Sequence, residues 1–202
     1  MKTKLLAFTF TILCAAGLTA AEAPKVGASA PEFSLPGADG QTHSLGEYKG
    51  KYVVLEWFNP GCPFVQKHYK SENMQKLQKE FTGKGVVWLT IDSSAPGAQG
   101  YLTPEEAKKQ LAEWNMNPTA LLLDPQGKVG QEYKATNTPH MFVINPEGKI
   151  VYEGAIDSKA SPNPADIADS TNYVKVALEE SLAGKTVSNA QTKPYGCSVK
   201  YK

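Results

Sequence analysis

Val53-Val54-Leu55-Glu56-Trp57-Phe58-Asn59-Pro60-Gly61-Cys62-Pro63-Phe64-Val65 is the stretch that decides the fold. Its first half is an apolar run suited to a buried strand, and Asn59-Pro60-Gly61 is turn chemistry. Pro63 then suits a first helical turn, because it has no N–H to leave unpaired there. Beyond it, Val65, Tyr69, Met74, Leu77 and Phe81 recur at near-helical spacing, which predicts one helix over 63–81. Cys62 therefore falls between a strand and a helix N-terminus. Unpaired N–H groups and the positive end of the helix dipole favour thiolate over thiol at such a position.

Working outward, Asp39-Gly40 lies between two short extended segments, 32–35 and 42–45, and predicts an N-terminal hairpin. Val86-Val87-Trp88-Leu89-Thr90-Ile91 reads as the next strand. Thr103-Pro104-Glu105-Glu106 opens a helix through a capping box with proline in the first turn. A short strand at 120–123, a helical piece at 129–134, and strands at 141–144 and 149–152 around Asn145-Pro146-Glu147-Gly148 follow. A last helix is expected over 171–183, with Gly184 as its cap. Alternating strands and helices followed by a hairpin and a final helix imply one α/β domain with a central mixed sheet flanked by helices. The expected organisation is a signal peptide over 1–21, the domain over 22–184, and a polar tail over 185–202 that lacks periodicity and is expected to be mobile.

The signal assignment rests on Lys2 and Lys4 ahead of the apolar run 5–18 and the small residues Thr19-Ala20-Ala21. Its removal takes Cys14 with it. It leaves Cys62 and Cys197 in a secreted, periplasmic setting where disulfides form, with no membrane anchor. With 21 basic and 20 acidic residues and a net charge of +1, nothing favours nucleic acid as a partner. All 21 basic residues are lysine. The chain therefore cannot supply a guanidinium fork to an anion or to a breaking O–O bond. The three histidines and the cysteines have no metal-ligand spacing, so neither a metal nor a cofactor is expected.

Three segments carry a family resemblance: Trp57 through Tyr69 (WFNPGCPFVQKHY), Thr138-Pro139-His140-Met141-Phe142-Val143-Ile144, and Gly196-Cys197-Ser198-Val199-Lys200. On these the chain resembles the thioredoxin superfamily in its alkyl hydroperoxide reductase/thiol-specific antioxidant (redoxin) branch, and more narrowly its secreted peroxiredoxin-like proteins. The resemblance implies a thioredoxin-like fold and a cis-proline at Pro139 beside Cys62, which passes substrate backbone across the disulfide and keeps metal ions off the thiolate. Thr138 would offer backbone hydrogen bonds to an extended substrate. Trp57 and Asn59 complete the substrate-binding set, with Trp57 also packing the core.

Departures from the family matter equally. Asn59-Pro60-Gly61-Cys62 keeps only the second cysteine of a Cys-x-x-Cys pair. Leu55 and Asn59 stand where peroxiredoxins carry proline and a hydroxyl residue, and their arginine has no counterpart. The expected function is a thiol–disulfide oxidoreductase with Cys62 as nucleophile, resolved by Cys197. Its partners are protein or small-molecule disulfides and an external thiol reductant. A thiol peroxidase and a binding module with a structural Cys62–Cys197 bond are the alternatives. Glu56 is a candidate proton acceptor and His140 a candidate for tuning the site. Lys67 and His68 are expected to be solvated.

Overall fold

The computed structural model describes residues 24–202. Its centre is a five-stranded mixed sheet in the order β5-β4-β3-β7-β8, formed by β3 (Val53–Trp57), β4 (Val87–Asp92), β5 (Ala120–Leu123), β7 (His140–Ile144) and β8 (Ile150–Gly154). Strands β3, β4 and β5 are parallel. β7 runs antiparallel to both β3 and β8, with Trp57 opposite His140. The expected hairpin is present as a separate two-stranded sheet, β1 (Ser34–Pro36) with β2 (Thr42–Ser44). This is the α/β architecture with a central mixed sheet that the alternation of elements predicts, and the thioredoxin-like fold that the resemblance implies.

Strand alternation divides the core into two layers. Val54 and Phe58 face helices α1 (Pro63–Lys70), α2 (Asn73–Thr82), α3 (Pro104–Glu113) and α5 (Tyr173–Leu182), with Val65, Met74, Phe81 and Leu178 among their neighbours. Val53, Leu55 and Trp57 face the other way, into a layer with Phe33, Phe142 and Tyr133, which follows the short α4 (Lys128–Glu132). Cys62 belongs to the first layer.

Two sequence expectations are corrected. The helix expected over 63–81 is two helices, because the Ser71 hydroxyl donates to the carbonyls of Lys67 (2.7 Å) and His68 (3.2 Å) and Glu72 turns to φ 59°. A hydroxyl that bonds back to the preceding turn competes with helix continuation. The tail, expected to be mobile, is packed against the domain. Gln191 bridges Glu153, Cys197–Ser198 forms β9 against β6 (Asn137–Thr138), and Tyr201 donates to the Ala135 carbonyl at 2.8 Å. The expected signal peptide lies outside the described residues.

Candidate active site at the head of the first helix

Cys62 is the N-cap of α1 and Pro63 its first helical residue. The Asn59 carbonyl accepts the Cys62 N–H at 3.1 Å and the Cys62 carbonyl accepts the Gln66 N–H at 2.9 Å, which closes the turn and starts the helix. Asn59 shapes the turn from within. Its Oδ1 accepts the Gly61 N–H at 2.8 Å, and its Nδ2 donates to the Gln99 carbonyl at 2.9 Å. Asn59 is buried and committed to these contacts.

The Thr138–Pro139 peptide is cis, as the resemblance implies. Cys62 Sγ donates to the Thr138 carbonyl oxygen at 3.1 Å. Thr138 is in turn the ladder partner of Cys197 across the antiparallel β6–β9 pair. Asn137 Nδ2 donates to the Gly196 carbonyl at 3.0 Å, and the Val199 N–H to the Thr136 carbonyl at 3.1 Å. Gly196 is required for this approach: its φ is 120°, and a Cβ there would lie 2.1 Å from the Thr138 oxygen. The structure thus gathers Cys62, Thr138, Pro139 and Cys197. Both cysteines are free thiols, with Cys62 fully buried (0% exposed) and Cys197 half-buried above it.

Their acidities are pushed apart. Burial raises the Cys62 pKa, but hydrogen bonding from the side chains of Cys197 and Thr138 and from the backbone of Val65 and Cys197 outweighs it and brings it below the ordinary thiol value. Burial pushes Cys197 up to about 11, helped by the hydrogen bond to Cys62 and the charge on it and opposed by Lys200. The thiolate is the attacking form of cysteine, so the asymmetry gives the two sulfurs different roles.

Other candidates stand elsewhere. Trp57 is fully buried on the opposite face of the sheet, donates through Nε1 to Ser93 Oγ at 3.1 Å and packs against Tyr133 and Phe142. Glu56 is buried in β3 and accepts from Tyr69 OH (2.8 Å), Trp88 Nε1 (2.9 Å), Thr90 Oγ1 (3.0 Å) and Gln78 Nε2 (3.2 Å). Burial raises its pKa against the pull of these donors. His140 is also buried, which lowers its pKa to about 4, and it packs on Phe142 at 4.7 Å.

The expectation for Lys67 and His68 is overturned, since both are buried and directed at Asp157. Sequence reasoning missed Asp157 and Tyr195 altogether. A tyrosine two positions before Cys197 in an otherwise polar tail was the available signal. Among the described residues no group of three His, Cys, Asp or Glu side chains is arranged to hold a metal ion.

A buried cysteine at a helix head beside a cis-proline, on a thioredoxin-like sheet, defines a redoxin of the thioredoxin superfamily. The chain belongs to the AhpC/TSA family, which it matches over residues 26–153. Among curated relatives it is 27% identical over 149 residues to the thiol-disulfide oxidoreductase ResA of Bacillus subtilis strain 168, covering 69% of this chain and 76% of that protein. It is 28% identical over 167 residues to the peroxiredoxin Bcp of Escherichia coli K12, covering 75% and 96%. Among solved structures, an uncharacterized conserved protein from Geobacillus kaustophilus superposes with a TM-score of 0.75 at 29% identity, covering 88% of this chain and 93% of that one.

Proposed function

We propose that this redoxin is a secreted, periplasmic thiol–disulfide oxidoreductase in which Cys62 is the nucleophile and Cys197 resolves the intermediate. The observation that carries the reading is the Thr138–Cys197 pairing, which brings the second thiol to the residue whose carbonyl the first one contacts at 3.1 Å. Likeness to ResA supports the reaction class. The charged, apolar and small-residue order over 1–21 supports export.

In the forward direction the Cys62 thiolate attacks a substrate disulfide, forming a mixed disulfide and releasing one substrate thiolate. Cys197, once deprotonated, attacks Cys62 Sγ and releases the second substrate thiolate. Two electrons pass to the substrate, and a Cys62–Cys197 bond remains for an external dithiol to reduce. Thr138 and Pro139 offer the surface for an extended substrate, and in the resting protein the chain's own Cys197 occupies the Thr138 backbone. A substrate therefore enters as the tail lifts. Glu56 is engaged by four buried donors of the protein itself, one on Oε1 and three on Oε2, which weighs against it as the proton acceptor.

A thiol peroxidase is the second reading, favoured by likeness to Bcp over 96% of that protein. In it, Cys62 sulfenate replaces the mixed disulfide. The deciding experiment is a glutathione titration of the mature protein, with the bond mapped by mass spectrometry, beside the Cys197→Ser variant. The wild type should form Cys62–Cys197, and the variant should keep its fold and accumulate mixed disulfide at Cys62. A variant that unfolds readily yet turns over disulfides normally would make the bond a staple and sink the role of Cys197 as the resolving thiol.

A further inference from the structure

A second cluster lies outside the thiol pair. Asp157, just beyond β8, is buried, and so are the two α1 side chains aimed at it. Lys67 Nζ lies 3.0 Å from Asp157 Oδ2 and donates to the Lys159 carbonyl at 2.9 Å. His68 Nε2 is 3.7 Å from the same carboxylate oxygen, and its Nδ1 meets Asn73 Nδ2 at 2.9 Å. Burial holds the His68 pKa at about 4, with Asp157 opposing and Lys67 assisting, so His68 is neutral at pH 7 and, among the described residues, the ion pair on Asp157 is the one with Lys67.

The tail supplies the remaining member. Tyr195 OH donates to Asp157 Oδ1, which also accepts the Lys159 N–H at 2.9 Å, and the hydroxyl lies 3.5 Å from His68 Nε2. The Tyr195 ring packs edge-on against Phe64 at 5.8 Å, with Lys67 Nζ 5.7 Å from its centroid. Tyr195 is two residues before Cys197. Phe64, Lys67 and His68 sit on the helix that Cys62 caps.

An ion pair this deep costs desolvation that its Coulomb attraction repays only with excellent geometry, so it is weak evidence for stability alone. A role in fixing one arrangement of a movable segment accounts for it better, because the tail's hydroxyl fills a place on Asp157. From this geometry we infer that Lys67, Asp157 and Tyr195 form a latch that seats the C-terminal tail and thereby sets the effective concentration of Cys197 at Cys62. These are positioning residues, and the inference rests on the thiol-pair reading above. With the latch made, the tail is ordered before the Cys62–Cys197 bond forms. With it broken, bond formation must bear the ordering cost.

The test is the equilibrium of the reduced protein with glutathione disulfide: protein dithiol plus one oxidised glutathione gives protein disulfide plus two reduced glutathiones. Its constant reports the effective concentration directly. Tyr195→Phe keeps the ring on Phe64 and removes only the hydroxyl, so it leaves Lys67 paired. It should lower the constant about tenfold, which is about 30 mV for a two-electron couple. Tyr195→Ala should lower it further, and alkylation of Cys62 in the reduced protein should accelerate in the same order. A lower melting temperature with an unchanged constant in both variants would reduce the cluster to a structural role and overturn the latch. A wild type that forms no Cys62–Cys197 bond in this buffer would instead overturn the oxidoreductase reading, a result distinguishable from the first.

Discussion

Thr138 and Cys197 face each other in a two-residue antiparallel ladder, the position in which the resemblance to thioredoxins places a substrate strand. On the proposed function, Cys197 as resolving thiol and the substrate would compete for one stretch of backbone, and access to Cys62 would depend on how firmly the tail holds that place.

Gly196→Ala tests this dependence. The new methyl would meet the Thr138 carbonyl at 2.1 Å in a backbone conformation with φ 120°. Such conformations cost a side chain about 1–3 kcal/mol. The tail should leave β6, and Cys62 in the reduced protein should be alkylated faster than in the wild type. An unchanged rate would mean that the β6–β9 pairing does not control access.

The two thiols should titrate in a fixed order. Cys62 lies below the ordinary thiol value and Cys197 near 11, so alkylation over rising pH, mapped by mass spectrometry, should label Cys62 first. Labelling of Cys197 first near pH 6 would reverse the assignment of nucleophile.

Hydrogen peroxide should be a poor oxidant of Cys62. The thiol is fully buried, and the chain has no arginine to stabilise the charge that develops as the O–O bond breaks. Preorganised donors of that kind are worth on the order of 10²–10³ in rate. Stopped-flow oxidation should resemble that of a moderately activated free thiol. Rates typical of dedicated peroxidases would promote the second reading.

His140 gives the fold a pH signature. Burial lowers its pKa from 6.5 to about 4, so the unfolded chain takes up a proton first as the pH falls. The stability this histidine contributes is complete above pH 6.5 and is lost between 6.5 and 4, at up to about 1.4 kcal/mol per pH unit. Asp92, raised by burial to about 6, works the opposite way within that window, so the wild-type curve is a sum. Denaturant unfolding of His140→Gln beside the wild type isolates the histidine. The variant should lose stability less steeply from pH 6.5 down to 4, and parallel curves would show that His140 titrates alike in the folded and unfolded chain.

Much of this protein was legible in the chain. The β3 apolar run, the Asn59-Pro60-Gly61 turn and Pro63 put Cys62 at a helix head because strand alternation, turn chemistry and helix starts are local properties. The Asp39-Gly40 hairpin and the Thr103 capping box were readable for the same reason. Family resemblance added the cis peptide at Pro139. What stayed hidden involves contacts between distant positions. Trp57 and Asn59 read as part of a substrate-binding set, but the alternation of β3 puts Trp57 in the far layer and the Gln99 carbonyl engages Asn59. Lys67 and His68, on a short polar helix, read as solvated because polar side chains on such a helix usually face water. Their carboxylate is Asp157, 90 positions from Lys67. The tail read as mobile because a two-residue strand has no periodicity. Its order comes from Thr138, Asp157 and Gly196, whose meeting is fixed only when the sheet and α1 have assembled. Sequence determined where Cys62 stands; tertiary structure decided what covers it, because burial and pairing of polar groups depend on neighbours that only the packed chain supplies.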